Sequence, residues 1–119
     1  MADIPQIEEI LKEIEAHEGV HGAFLVTRSG VYIAGSLPKA VEKETYASMF
    51  AVLLGSADTA TSQIKDSMRA VVVHLRDSKL VVVGDGPKAL FVLRVDEDVA
   101  VRRLREILGP YSARLEEHL

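Results

Sequence analysis

Apolar residues first recur at helical spacing: Ile4, Ile7, Leu11 and Ile14 step by three or four, and Ile10 widens the stripe. That period predicts an amphipathic helix. Asp3 suits its N-cap, and Pro5 falls in the first turn, where a missing amide is tolerated. Glu8, Glu9, Glu13 and Glu15 lie mainly off the stripe, and Gly19 ends the helix near residue 18. Two β-rich runs follow, Ala23-Phe24-Leu25-Val26 and Val31-Tyr32-Ile33-Ala34, separated by Arg28-Ser29-Gly30. Such runs around a short glycine turn predict a hairpin, closed off by Gly35, Ser36 and Pro38.

A long second helix is predicted over residues 42–67. Tyr46, Phe50, Leu53, Ala57, Ala60, Ile64 and Met68 trace one stripe along it. Ala47, Ala51, Leu54 and Gly55 carry the apolar surface onto a neighbouring face, wider than a helix covering one sheet needs. Three strands come next, Ala70–Leu75, Leu80–Val83 and Leu90–Leu93, joined by Asp77-Ser78 and by Gly84-Asp85-Gly86-Pro87. They are almost continuously apolar, the mark of strands covered on both faces. Asp96, Glu97 and Asp98 ahead of Arg102, Arg103 and Arg105 suit the dipole of a last helix. Gly109-Pro110 interrupts that helix, with Tyr111, Leu115 and Leu119 continuing an apolar stripe beyond. The order α-β-β-α-β-β-β-α predicts a single α+β domain over residues 3–118, an antiparallel sheet with helices on both faces.

Composition narrows the chemistry. The chain has 119 residues, a formal net charge of -4 and no cysteine. Its length suits one domain, and its acidic balance argues against nonspecific nucleic-acid binding. Without cysteine there are no disulfides, thiolate metal sites or thiol nucleophiles. No apolar run reaches the roughly 20 residues of a membrane span, and Met1-Ala2-Asp3-Ile4 lacks the basic start of a signal peptide. A cytoplasmic protein is expected.

The sequence carries no recognisable catalytic or cofactor motif. Gly84-Asp85-Gly86-Pro87-Lys88 is the nearest approach to a phosphate loop, yet it joins two strands and contains proline, so it reads as a turn. His17 and His21 have the spacing of two metal ligands on a helix, but Gly19 lies between them at the helix end. His74 lies in a strand and could meet a carboxylate that sequence does not name. Arg102, Arg103 and Arg105 read as a solvated helix face diluted by Glu106. No G-x-S-x-G elbow exposes a serine. No catalytic residue, metal or cofactor is expected.

Two positive features remain. The Ala70–Leu75 strand carries no charge before Arg76, so at a sheet edge it is an open template for pairing. The long helix is apolar over too much of its circumference, and Ala47, Ala51 and Gly55 recur every four residues, which permits close helix approach. A symmetric dimer would satisfy both.

Element order and local pattern resemble the roadblock/LC7 domain family. The similar segments are Glu18-Gly19-Val20-His21-Gly22-Ala23-Phe24-Leu25-Val26, then Ser29-Gly30-Val31-Tyr32-Ile33-Ala34, and Glu44-Thr45-Tyr46-Ala47 at the start of the long helix. Ser29 stands where many relatives carry Asp. The resemblance implies a profilin-like fold: a five-stranded antiparallel sheet, the long helix on one face and the two terminal helices on the other. It also implies a homodimer with a continuous ten-stranded sheet. Val71, Val72, Val73 and His74 would meet their twins there, and Ala47, Ala51, Leu54 and Gly55 would approach the second long helix. The implied role is a noncatalytic regulator or scaffold of a Ras-like small GTPase, docked on the helix pair through positions such as Asp58, Ser62 and Lys65. The dimer partner is a second copy or a roadblock paralogue. Two other readings stand beside this one: a small-ligand sensor of profilin- or PAS-like architecture, and a light-chain subunit of a motor or signalling complex.

Overall fold

The structure, a computed structural model, describes residues 2–119. Helix α1 (Ile4–Glu15) is capped by Asp3, whose carboxylate accepts the Gln6 N–H. It leads into β1 (Val20–Thr27) and β2 (Tyr32–Gly35), then α2 (Lys43–Gln63). Strands β3 (Val71–His74), β4 (Ser78–Asp85) and β5 (Ala89–Asp96) form a meander before α3 (Val101–Glu116). All strand pairs are antiparallel, and the order across the sheet is β2-β1-β5-β4-β3. The predicted α+β architecture is thus the observed one.

Continuous apolar strands need cover on both sides, and both are covered. Val81, Val83, Phe91, Leu93 and Val95 point to one face, where Ile7, Ile10, Leu11 and Ile14 of α1 meet Leu104, Leu108 and Leu115 of α3. Their alternates, Val82, Leu90 and Val92, point to the other face with Phe24 and Val26, under Ala47, Phe50, Ala51 and Leu54 of α2. Two turn glycines hold conformations closed to other residues. Gly30 has φ of 100° in the β1–β2 turn. Gly35 has φ of 117°, and a Cβ there would stand 2.4 Å from the Ala23 carbonyl oxygen.

Three expectations are corrected. The acidic run Asp96–Asp98 does not open the last helix: Asp96 ends β5, and α3 starts at Val101 with no side-chain cap. Asp96 and Glu97 instead meet His21 and His74 from other strands. Gly109-Pro110 does not interrupt α3, which runs through Pro110 because Leu108 and Leu115 anchor it on either side. The stripe traced from Tyr46 through Ala60 to Met68 is also not the buried one. Of those residues only Phe50 is buried, and the sheet-facing set is Ala47, Phe50, Ala51 and Leu54.

Candidate functional site: the open strand edge and the uncovered half of the long helix

Strand β3 stands at the end of the sheet and, among the described residues, has no neighbour on its outer side. The Leu75 N–H donates to the Ser78 carbonyl at 2.8 Å, and Val73 faces Leu80 while Val71 faces Val82. Inward and outward bonding alternate along an antiparallel strand, so residues 71, 73 and 75 are turned to β4. Val72 and His74 therefore direct their N–H and C=O groups to the open edge. Val71, Val72 and Val73 are each half-buried, and Leu75 just beyond is exposed. No charge blunts this edge before Arg76. His74 is exposed, and its Nδ1 meets a Glu97 carboxylate oxygen at 2.5 Å.

Helix α2 divides into unlike halves. Its first half lies on the sheet, with Ala47, Ala51 and Leu54 only 0%, 9% and 2% exposed. These three of the four helix residues assigned to a dimer interface pack against their own sheet. Gly55, the fourth residue of that set, is exposed, and a Cβ there would meet nothing within 4 Å. From Gly55 to Gln63 no residue is buried. That half is also rich in weak helix formers, and its Thr61 and Ser62 hydroxyls bond back to the carbonyls of Ala57, Asp58 and Thr59. Short helices without a packed face are marginal in water, so this half lacks both usual sources of support. Three large apolar side chains on or next to the helix face outward: Met49, Val52 and Ile64 are 59%, 66% and 73% exposed. Met49 and Val52 belong to neither of the apolar faces traced along the helix in the sequence.

Beside the buried half of α2, the sheet carries a cavity of about 250 Å³. Phe24, Leu80 and Val92 form its floor, Tyr46 and Leu37 its walls, and His21 and Arg94 its polar rim. Burial pushes the Tyr46 hydroxyl above its ordinary range, partly offset by the Arg94 charge. The His21 Nε2 is bonded to Asp96.

The remaining candidates scatter. Asp58 is exposed and lines a groove with Arg28, Arg69 and Arg105. The Ser62 hydroxyl donates to the Thr59 carbonyl at 2.8 Å. Lys65 lies past the helix end in a left-handed conformation, φ 58°. Asp58, Ser62 and Lys65 thus lie along or just past the uncovered half of α2. His17 packs edge-on to Tyr111 while His21 turns to Asp96, so the two imidazoles do not converge. Among the described residues, no group of three or more His, Asp or Glu gathers as a metal site, and no helix is long and apolar enough to cross a membrane.

A five-stranded antiparallel sheet, one long helix on one face and two terminal helices on the other, with an open third strand, define a roadblock-type, profilin-like fold. Residues 6–94 match the Roadblock/LC7 domain, and the chain belongs to that family. An uncharacterized protein of Methanocaldococcus jannaschii is 30% identical over 88 residues, which cover 73% of this chain and 75% of that one. Among solved structures, the gliding protein MglB of Thermus thermophilus superposes with a TM-score of 0.76 at 22% identity, covering 96% of this chain and 88% of that chain. An MglB in a tetrameric arrangement also gives 0.76 at 22% identity, covering 97% and 90%. Profilin IB of Acanthamoeba castellanii gives 0.63 at 14% identity, covering 94% and 98%. At these identities the likeness establishes the fold.

Proposed function

We propose that the chain is a noncatalytic, dimeric regulator or scaffold that binds a Ras-like small GTPase and modulates its GTPase cycle in the cytoplasm. The observation that carries this reading is one surface: β3 with unpaired backbone groups beside a half-helix with no buried residue. A second copy meets both needs at once. With Val72 opposite its twin, the two residues exchange N–H···O=C bonds and the sheet grows to ten strands. The second half of each α2 then lies against the other helix, with Gly55, Ser56 and Ala60 permitting close approach.

Asp58, Ser62 and Lys65 are exposed along and just past this half of the helix and are the docking candidates. A GTPase docked there would have its switch segments ordered from outside, without a catalytic group from this chain. Binding and regulating such GTPases is the work usual in the roadblock family, and an MglB neighbour assembles as a tetramer. The test mixes the purified chain with each Ras-like GTPase encoded in its own genome, and measures complex formation, GTP hydrolysis and nucleotide exchange. A complex with an altered rate is expected. No complex and no change with any of them overturns the reading.

One observation favours a second reading. The 250 Å³ cavity has an apolar floor and a cationic rim at Arg94, suited to a small amphipathic acid. Native mass spectrometry of the purified protein with a bound small molecule would support ligand sensing; apoprotein alone would leave the regulator reading in place.

A further inference from the structure

The chain is acidic overall, yet four arginines from distant parts of the sequence meet at one place. Arg28, Arg69 and Arg105 line a groove of about 420 Å³. Arg69 and Arg105 also line a second groove of about 480 Å³, together with Arg102. Sequence spacing shows only the α3 members and sets Glu106 against them. The fold changes that balance twice. It adds Arg28 from the β1–β2 turn and Arg69 from the segment ahead of β3. It also pairs Glu106 with Arg103 at 3.8 Å, while Glu106 still lines the second groove.

The strand edge explains why a groove exists. Pairing of β3 with β4 stops at Val71↔Val82, while β4 continues beside β5 as far as Asp85. Val83 and Gly84 therefore have no strand on their outer side, and the segment carrying Arg69 diverges from them. Arg28 lies over Gly84 and donates from Nη2 to the Gly86 carbonyl at 2.7 Å. A Cβ on Gly84 would stand 2.4 Å from that nitrogen, so only glycine leaves the guanidinium its place. Among the described residues, none of Arg28, Arg69, Arg102 and Arg105 has a carboxylate within 4.0 Å. Asp58 is the acid lining the first groove and Glu106 the acid lining the second.

We infer that these joined grooves bind an extended acidic segment of a protein partner, its Asp and Glu carboxylates received by the four arginines. Guanidinium forks bind carboxylates in a planar, two-bonded fashion, and their mutual repulsion falls when anions sit among them. The grooves share Arg69 and Arg105, so positive charge is drawn out in a line rather than gathered in a cup. A row of carboxylates on an extended chain matches a line, and the free edge at Gly84 offers backbone groups to such a chain. A long polyanion such as nucleic acid would run onto the acidic remainder of the surface. The inference stands apart from the GTPase reading, because the acidic segment can belong to any protein partner.

The experiment is fluorescence anisotropy with a short fluorescein-labelled peptide of repeated Glu-Asp, at low and at physiological salt. Saturable binding that weakens with salt is expected. The double variant Arg69→Glu/Arg105→Glu should weaken it by about tenfold or more, whereas Arg103→Glu should change it by less than about twofold. Thermal melting reports whether each variant folds, and Arg105→Gln alone replaces the double variant if that one does not. Absence of saturable binding, or equal weakening by Arg103→Glu, overturns the proposal. Tighter binding of tripolyphosphate or single-stranded RNA at the same arginines also overturns it, assigning the grooves to phosphate.

Discussion

Asp85 is a carboxylate placed where burial opposes its charge. Burial pushes its pKa up; the Ser112 hydroxyl pulls it down, Glu116 raises it further and Arg28 lowers it. A carboxyl whose pKa is raised by folding favours the protonated folded state, so its contribution is lost as pH rises through that raised value. Asp85→Asn is therefore expected to melt a few degrees higher than the native chain at pH 7 to 8. The gap should close as pH falls below about 4, where both side chains are neutral. Circular-dichroism melts across that range check it. Glu13 has the opposite sign. Two hydrogen bonds from Arg114, at 2.9 and 3.0 Å, hold its pKa below the ordinary value, so this tie between α1 and α3 is strongest above the carboxylate range and fades in acid. In sequence Asp85 reads as a turn residue, whereas it is the last residue of β4, paired with Ala89. Spacing along the chain does not show that Ser112 and Glu116 of α3 close around it. His21 of β1 likewise meets Asp96 of β5, and His74 of β3 meets Glu97 just past the end of β5, pairings that local spacing does not show.

At the scale of elements, local signals located every helix and strand and misplaced what long-range contacts decide. The run Asp96-Glu97-Asp98 has the charge of a helix start, but histidines on β1 and β3 keep its first two members at the strand end. Gly109-Pro110 carries the chemistry of a break, and burial of Leu108 and Leu115 overrides it. The width of the apolar surface on α2 was legible, whereas which side meets the sheet was not, since small residues occupy both. Its unburied half supplies a prediction. Backbone amides of residues 56–63 should exchange with solvent quickly at high dilution and slow markedly as concentration rises, while those around Ala47–Leu54 should be protected throughout. Hydrogen exchange read by mass spectrometry over a concentration series separates the two halves. Uniform protection of the whole helix at all concentrations would mean that its second half needs no partner.

For the molecule as a whole, the proposed assembly has a mass near twice 13.0 kDa by light scattering. Val72→Asp would place two carboxylates together at the shared edge, and is expected to return the mass to that of one chain without loss of the sheet's circular-dichroism signal. A native chain that stays monomeric at micromolar concentration would refute the dimer. Element order was legible throughout; the order of strands across the sheet was not. Nothing in the β1 sequence, Val20–Thr27, says that its neighbour is β5.

That placement of β1 governs how the chain comes together in time. Contacts such as Val26↔Leu90 join the two ends of the domain, while β3, β4 and β5 meet through short turns. Closing so long a loop is entropically costly, so the meander can form early and β1 must be captured late. On the ribosome, Phe24, Leu25 and Val26 leave the tunnel long before the strand that will cover them is made. For that interval β1 has only α1 and the short β2 to pack against, and this interior strand of the finished sheet is the part of the nascent chain most exposed to capture by chaperones or by other chains.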